Sequence, residues 1–134
     1  MKRSGITQGY VRMWPRAVFE KLRGEKGMRA GSIEFLRKDG VYVLYREDKP
    51  HYVGKGRLMG RLWAHARKPE DRYYHFWNFF SSFAVEDKEQ RDELEAILIA
   101  AMPTANSAEP KLPKEIMPGK VRELLHEIYA HGKA

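Results

Sequence analysis

Apolar residues recur at two different periods along this chain, and the period separates predicted helices from predicted strands. After Pro15, apolar residues at helical spacing predict a helical segment over residues 16–23. From Gly40, β-branched and aromatic residues run together through Tyr45, and a polar turn leads into a second such run at residues 51–54. This arrangement predicts a β-hairpin.

Beyond the hairpin the helical period returns. The apolar residues of 58–67 gather on one face and predict a helix, which the Pro69-Glu70-Asp71 cluster ends. An aromatic run over residues 73–83 predicts a buried third strand along part of its length. A second helix is predicted from about residue 88 to Met102, before Pro103, and a last amphipathic helix carries Val121 to Tyr129.

These elements predict an α+β fold, in which a small three-stranded antiparallel sheet is flanked by helices and carries helical N- and C-terminal extensions. Three segments are expected. Residues 1–38 form a basic helical lead-in, residues 39–108 form the core, and residues 109–134 form a helical extension that packs on the core.

Charge and composition narrow the function classes. The net charge of +7 and the pI of about 9.7 favour polyanionic partners, nucleic acid first and acidic membrane surfaces second, although a merely basic globule fits equally well. The absence of cysteine excludes disulfides and thiolate catalysis and fits a reducing cytosol. No apolar stretch approaches the roughly 20 residues of a membrane helix, so a cytoplasmic location without membrane insertion is expected. Oligomeric state stays open.

Glu95 is the most informative single residue, because it falls inside the apolar arc of the helix predicted over residues 88–102, between the directions of Met102 and Ile99. A carboxylate facing a core must be paired, protonated or bound to a metal. An ion pair with an arginine and a metal ligand therefore both remain open for it.

Arg61 and His65 are four positions apart and share one face of the first helix, at the margin of its apolar stripe. An arginine there can hold a phosphate through two hydrogen bonds, and a solvated helix edge is the simpler alternative. Tyr42 and Tyr52 lie on the hairpin, where a tyrosine is ordinarily a packing residue with a wet hydroxyl. Their spacing leaves open whether both face the same side.

In this order, these residues resemble the signature of the GIY-YIG endonuclease family. Gly40-Val41-Tyr42 and Tyr52-Val53-Gly54 are similar to its two tripeptides, with valine in place of isoleucine in both. The downstream residues that match family positions are Lys55, Arg61, His65, Glu95, and Asn106 after Pro103. Arg57 is the alternative to Arg61, because the interval from the second tripeptide to Arg61 is about one residue shorter than in the family's excision-repair branch.

The resemblance implies a metal-dependent endonuclease that hydrolyses phosphodiester bonds in nucleic acid, with DNA favoured. It implies one divalent cation, Mg²⁺ or alternatively Mn²⁺, held by Glu95. Tyr42 would act as general base, Tyr52 and Arg61 would bind the scissile phosphate, Lys55 and His65 would assist, and Asn106 would brace the site. Arg57, Arg67, Lys68 and Arg72 would contact neighbouring phosphates. The rival hypothesis is a non-catalytic nucleic-acid-binding module with the same fold.

Overall fold

The computed structural model describes residues 5–21, 36–106, 111–113, 115–116 and 118–131. These residues form an α+β fold. The strands are β1 (Gly9–Pro15), β2 (Asp39–Arg46), β3 (Lys49–Arg57) and β4 (Phe79–Ala84). The helices are the single turn α1 (Val18–Lys21), α2 (Leu58–Arg67), α3 (Lys88–Ala101) and α4 (Gly119–His131).

The strands form one antiparallel sheet in the order β1-β4-β2-β3. The predicted hairpin is confirmed as β2 and β3, and α2 and α3 lie where the helical period predicted them. The aromatic run contributes to β4 only from Phe79 onward, because residues 72–76 form turns. In the strand order of this sheet, β2, which carries Gly40-Val41-Tyr42, is a central strand, and β3, which carries Tyr52-Val53-Gly54, is an edge strand.

The prediction of a three-stranded sheet with a wholly helical lead-in is wrong. Residues 9–15 form a fourth strand, which pairs with β4 from Gly9 opposite Ala84 to Pro15 opposite Phe79. Pro15, which resembled the first residue of a helix, instead ends this strand. Proline is tolerated there because an edge strand leaves some backbone N–H groups unpaired. The rest of the predicted 16–23 helix is confirmed only as α1, and residues 22–35 lie outside the described part.

Helices cover both faces of the sheet. On one face, Tyr42 and Leu44 pack with α2 and with the buried rings of Trp77 and Phe80. On the other face, a smaller cluster joins the sheet to α3. Its buried members are Val41, Val43 and Val53, and the partly buried side chains packed on them include Leu94, Leu98, Ile99 and Met102. The site described below lies where these two layers meet the free edge of β3.

The C-terminal extension is less enclosed. In α4, the exposed fractions of Leu124, Ile128 and Tyr129 are 53%, 51% and 65%, so the predicted packing on the core does not extend to these side chains. Among the residues described, no helix combines the length and apolarity needed to cross a bilayer.

Candidate active site

The hairpin turns both motif tyrosines toward the same face of the sheet. Tyr42 pairs with Gly54, and Leu44 pairs with Tyr52, so all four side-chain positions point one way. The two tyrosine rings lie 6.2 Å apart, centroid to centroid. The question that sequence spacing left open is therefore answered by the register.

The motif glycines make room for this arrangement. A Cβ atom on Gly54 would collide with the ring and hydroxyl of Tyr42, which crosses directly above it. A Cβ atom on Gly40 would collide with the main-chain carbonyl oxygen of Phe83 on β4. Both glycines thus permit a close approach that any larger residue would block.

Tyr42 belongs to a hydrogen-bonded chain of three side chains. Its hydroxyl lies 2.7 Å from Nε2 of His65, and Nδ1 of His65 lies 2.8 Å from Oδ1 of Asp71. A carboxylate only accepts hydrogen bonds, so His65 donates from Nδ1. In the neutral imidazole, Nε2 then accepts the proton of the Tyr42 hydroxyl. Asp71 also accepts from the backbone N–H of Tyr73 at 2.8 Å, which fixes its position.

Tyr42 and Tyr52 differ in their access to solvent. Tyr42 is only 1% exposed, whereas Tyr52 is partly exposed and lines a cleft. Burial raises the pKa of both hydroxyls; the neighbouring Tyr52 adds to this for Tyr42, and Tyr73 adds to it for Tyr52. The burial of Tyr42 does not suit direct contact with an attacking water, which the resemblance implied for it.

A second group of charged residues lies across the cleft. Nζ of Lys55 is 2.9 Å from Oδ1 of Asp92 and 3.2 Å from Oε1 of Glu95. Lys88 also bonds Asp92, at 2.8 Å. The hydrogen bond that Lys55 donates to Asp92 raises the pKa of Lys55, and the bonds that Asp92 accepts from Lys88 and Lys55 lower its pKa to about 2. Glu95 is therefore paired with a lysine of the second motif strand.

The cleft has a volume of about 890 Å³ and opens beside β3 and α3. The predicted site residues that line it are Tyr52, Lys55, Glu95, Arg72 and Asn106. Tyr42 and His65 lie behind its wall and reach it through ring contacts with Tyr52, at 6.2 and 6.0 Å. The structure thus brings the two tyrosines, His65, Lys55 and Glu95 into one neighbourhood.

Arg61 is exposed and lies in the first turn of α2, near the cleft but outside its lining. Its Nε donates to the carbonyl oxygen of Lys55 at 3.4 Å. The positive charge of Arg61 lowers the pKa of both Tyr42 and Tyr52, against the larger effect of burial. It therefore acts electrostatically on both motif tyrosines. Arg57, the alternative arginine, precedes the first residue of α2 and is exposed.

The remaining predicted contacts divide into two groups. Arg72 lies 5.6 Å from the ring centroid of Tyr73 and lines the cleft. Arg67 lies 5.2 Å from the ring centroid of Trp63, and Lys68 is exposed at the end of α2; neither lines the cleft. Asn106 pairs with the free edge of β3, where its side-chain amide donates to the carbonyl oxygen of Val53 at 2.8 Å and accepts from its N–H at 3.0 Å.

Charge is distributed unevenly along the chain. Residues 1–38 contain ten lysines and arginines and three glutamates, so their net charge of +7 equals that of the whole protein. Residues 39–134 are neutral overall. The cleft itself combines Lys55, Arg72 and Lys111 with four carboxylates, which are Glu89, Asp92, Glu93 and Glu95. The basic surplus thus lies outside the segment that forms the cleft.

The oxygen ligands of the cleft suit a small hard cation. Asp92 and Glu95 already place two carboxylates around one ammonium nitrogen, which is a position that a metal cation would also favour. Mg²⁺ typically binds through one or two carboxylates and completes its coordination with water and phosphate oxygens. Within the described ranges, no group of three or more acidic, histidine or cysteine side chains forms a fuller metal site.

Sequence reasoning missed three residues of this neighbourhood, namely Asp71, Tyr73 and Asp92. Asp71 belonged to a Pro-Glu-Asp cluster whose evident role was to end a helix. Tyr73 began an aromatic run that was assigned to a strand. Asp92 had a detectable signal, because it lies one helical turn before Glu95 and the two side chains share a face.

Comparison with known proteins adds no relative: no family model, curated protein or solved structure matches this chain.

Proposed function

We propose that this protein is a metal-dependent endonuclease that hydrolyses phosphodiester bonds in nucleic acid, with DNA favoured. The observation that carries the proposal is that Glu95 and Tyr52, which match two catalytic positions of the GIY-YIG signature, line the same cleft. Hydrolysis needs an activated water, relief of charge on the phosphate and help for the leaving oxygen. The cleft offers a residue type suited to each task.

The roles follow from exposure and charge. Tyr52 faces the cleft, so we assign the contact with the attacking water to Tyr52 rather than to the buried Tyr42. Behind Tyr52, the hydroxyl of Tyr42 is hydrogen-bonded to the imidazole of His65, and the carboxylate of Asp71 keeps that imidazole oriented. The guanidinium of Arg61 favours negative charge at both hydroxyls, and it would also neutralise charge on the phosphate.

Glu95 would hold the divalent cation, Mg²⁺ or alternatively Mn²⁺, and Asp92 would serve as a second carboxylate. When bound there, the cation supplies charge neutralisation for the phosphate and makes a bound water more acidic. Lys55 bonds the same carboxylates, and its ammonium group would assist by binding a phosphate oxygen. Asn106 braces the edge of β3 from which Tyr52 and Lys55 project.

The second candidate is a non-catalytic nucleic-acid-binding module, and one observation favours it. Lys55 already pairs with Glu95, so the carboxylate is satisfied by the protein itself. Such a module would bind nucleic acid with the same fold and the same basic residues, without turnover.

The test compares cleavage with binding. Purified protein is incubated with plasmid, branched DNA and single strands, in Mg²⁺, Mn²⁺ or EDTA. We expect metal-dependent nicking that Glu95→Gln reduces by about 10²- to 10³-fold, the usual effect of losing a transition-state contact. Binding measured in EDTA should be retained. Glu93→Gln is the matched control, because Glu93 lines the same cleft and has no assigned role.

Two results would count against the enzyme. Binding to nucleic acid without cleavage of any substrate would favour the module. A large fall in melting temperature for Glu95→Gln would indicate a structural ion pair instead. We expect that change to cost less than about 1 kcal/mol, since the Lys55–Glu95 pair is partly exposed and screened by solvent.

A further inference from the structure

Four rings lie in a continuous row that begins at the cleft and ends near the hairpin turn. Tyr52 stacks on Tyr73 with ring centroids 4.5 Å apart, and Tyr73 meets His51 edge to face at 5.6 Å. His51 in turn lies 4.2 Å from Phe76. We call these four residues the aromatic ladder. Its outer member, Phe76, is 45% exposed, although one side of its ring lies against His51.

A β-bulge builds the ladder. Leu44 pairs with Tyr52 and Tyr45 pairs with Pro50, so His51 has no partner on β2. Neighbouring residues of a regular strand point to opposite faces, yet His51 and Tyr52 both contact Tyr73. Bulges change the direction of a side chain in this way, and they are common beside functional sites. The bulge thus brings the ring of His51 onto the side where Tyr52 lies.

An arginine side chain lies near each end of the aromatic ladder. Cζ of Arg46 lies 5.6 Å from the ring centroid of Phe76, and Nη1 of Arg46 donates to the carbonyl oxygen of Phe76 at 2.8 Å. Arg72 covers Tyr73 at the cleft end. Aromatic and guanidinium planes stack on unpaired bases, and guanidinium groups also bind the phosphates between them. Arg46 and Arg72 therefore lie where guanidinium groups would meet the phosphates of a strand stacked on the ladder.

We propose that the aromatic ladder binds an unpaired strand of nucleic acid, so that the cleft acts on or beside unpaired nucleotides. The bases of an intact duplex are already stacked on one another and leave no free face for Phe76. An unpaired base has such a face. This inference rests on the proposed function for the nature of the ligand, and it adds a preference for single-stranded regions. An apolar protein segment on Phe76 is the competing occupant.

The test measures binding by fluorescence anisotropy in EDTA, with the full chain. The probes are a labelled single-stranded DNA, an RNA of the same sequence and the blunt duplex. Phe76→Leu keeps apolar bulk but removes the aromatic plane, and we expect it to weaken binding of a single strand by about 10-fold. Duplex binding should change by less than about twofold. Phe76→Trp should retain single-strand binding, since its ring can stack in the same way.

Tyr10→Leu is the matched control, because Tyr10 is an exposed aromatic residue on the opposite edge of the sheet. Loss of DNA or RNA single-strand binding in Phe76→Leu alone supports the proposal, and the two probes identify which strand is bound. Equal losses on single strand and duplex, no loss at all, or the same loss in Tyr10→Leu would overturn it. Anisotropy in EDTA involves no cleavage, so an inactive nuclease would leave a positive result intact.

Discussion

The hydroxyl of Tyr42 and Nε2 of His65 lie 2.7 Å apart in the interior, one from the central strand β2 and the other from helix α2. Both residues are buried, at 1% and 8% exposure. The contact therefore ties the first sequence motif to the helix that follows the second. It also gives the buried hydroxyl a partner, without which its burial would be costly.

Removing that hydroxyl should destabilise the fold. In Tyr42→Phe, Nε2 of His65 loses its partner in a buried setting, so we expect a loss of about 1–3 kcal/mol in the free energy of unfolding. Urea denaturation followed by circular dichroism measures it. Tyr52→Phe is the control, since Tyr52 lines the open cleft and should lose less than about 1 kcal/mol. Equal losses would mean that the Tyr42–His65 bond contributes nothing specific.

The same two variants should rank in the opposite order for activity. If Tyr52 contacts the attacking water, Tyr52→Phe should lower the cleavage rate by about 10²-fold or more, the usual contribution of a general base. Tyr42→Phe acts only by loosening His65 and should lower the rate by about 10-fold. Single-turnover cleavage with saturating protein makes the comparison independent of substrate affinity. A larger loss in Tyr42→Phe would return the role of base to Tyr42.

Sequence patterns predicted the parts of this site that lie on regular elements. The hairpin and α2 carry Tyr42, Tyr52, Lys55 and His65. The bounds of α2 were readable from hydrophobic period, whereas β3 (Lys49–Arg57) extends beyond the predicted run of 51–54 at both ends. The strand β1 was missed because its residues include Trp14-Pro15, which is also a typical helix start, and because pairing with β4 is a long-range choice. Local propensity does not contain that information.

Contacts made by irregular segments were not predictable. Asp71 bonds His65 because the chain turns back after α2, and six residues of sequence separation do not specify that turn. His51 and Tyr52 contact the same ring only because of a bulge, which alternation of apolar and polar residues does not reveal. The direction of a side chain at such places depends on tertiary packing, so a single sequence leaves it undetermined.

Substitution by alanine should have opposite effects on stability at Gly40 and at Gly60. At Gly40 the new Cβ would collide with the carbonyl oxygen of Phe83, and a main-chain atom paired within the sheet cannot easily move. We expect Gly40→Ala to cost about 3 kcal/mol. At Gly60 nothing lies within 4 Å of the new Cβ, so Gly60→Ala should stabilise α2 by about 0.5–1 kcal/mol. Thermal unfolding of both variants checks the pair.

A cost at Gly60 similar to that at Gly40 would contradict this account, because it would show that the exposed face of α2 is packed against something. A tolerated Gly40→Ala would show that β2 and β4 can separate without penalty. The second result would also weaken the explanation given for the glycine of the first motif.

Asp92 should contribute to stability in acid. Its pKa is lowered from 3.8 to about 2 by hydrogen bonds from Lys88 and Lys55. A group with a lowered folded-state pKa stabilises the fold above its ordinary pKa, and that contribution is lost as pH falls through the folded value. The stabilisation contributed by Asp92 should therefore be lost as the pH falls from about 4 to about 2. Melting temperatures of wild type and Asp92→Asn should converge as pH falls through this window.

The control for that experiment is Glu93→Gln, because Glu93 is an exposed neighbour on α3. Its difference from wild type should stay nearly constant over the same window. A constant difference for Asp92→Asn as well would mean that the bonds from Lys55 and Lys88 do not persist in solution.

Binding of nucleic acid should depend on charge outside the cleft segment. Because residues 39–134 are neutral overall, the basic surplus of residues 1–38 is the part of the chain that can supply phosphate contacts in excess. Neutralising Arg23, Lys26 and Arg29 to glutamine should weaken duplex binding and reduce the slope of log affinity against log salt. The reduction is about 0.9 for each phosphate contact removed, so three contacts give about 3.

The matched variant neutralises Lys114, Lys120 and Arg122, which removes the same charge from the C-terminal segment. Its salt slope should stay close to that of wild type if phosphates are contacted by the N-terminal segment. Equal reductions in both variants would indicate a diffuse effect of net charge, and a reduction only in the second would move the interface to the C-terminal end. Titrations between low and moderate salt, in EDTA, separate these outcomes without any cleavage of the probe.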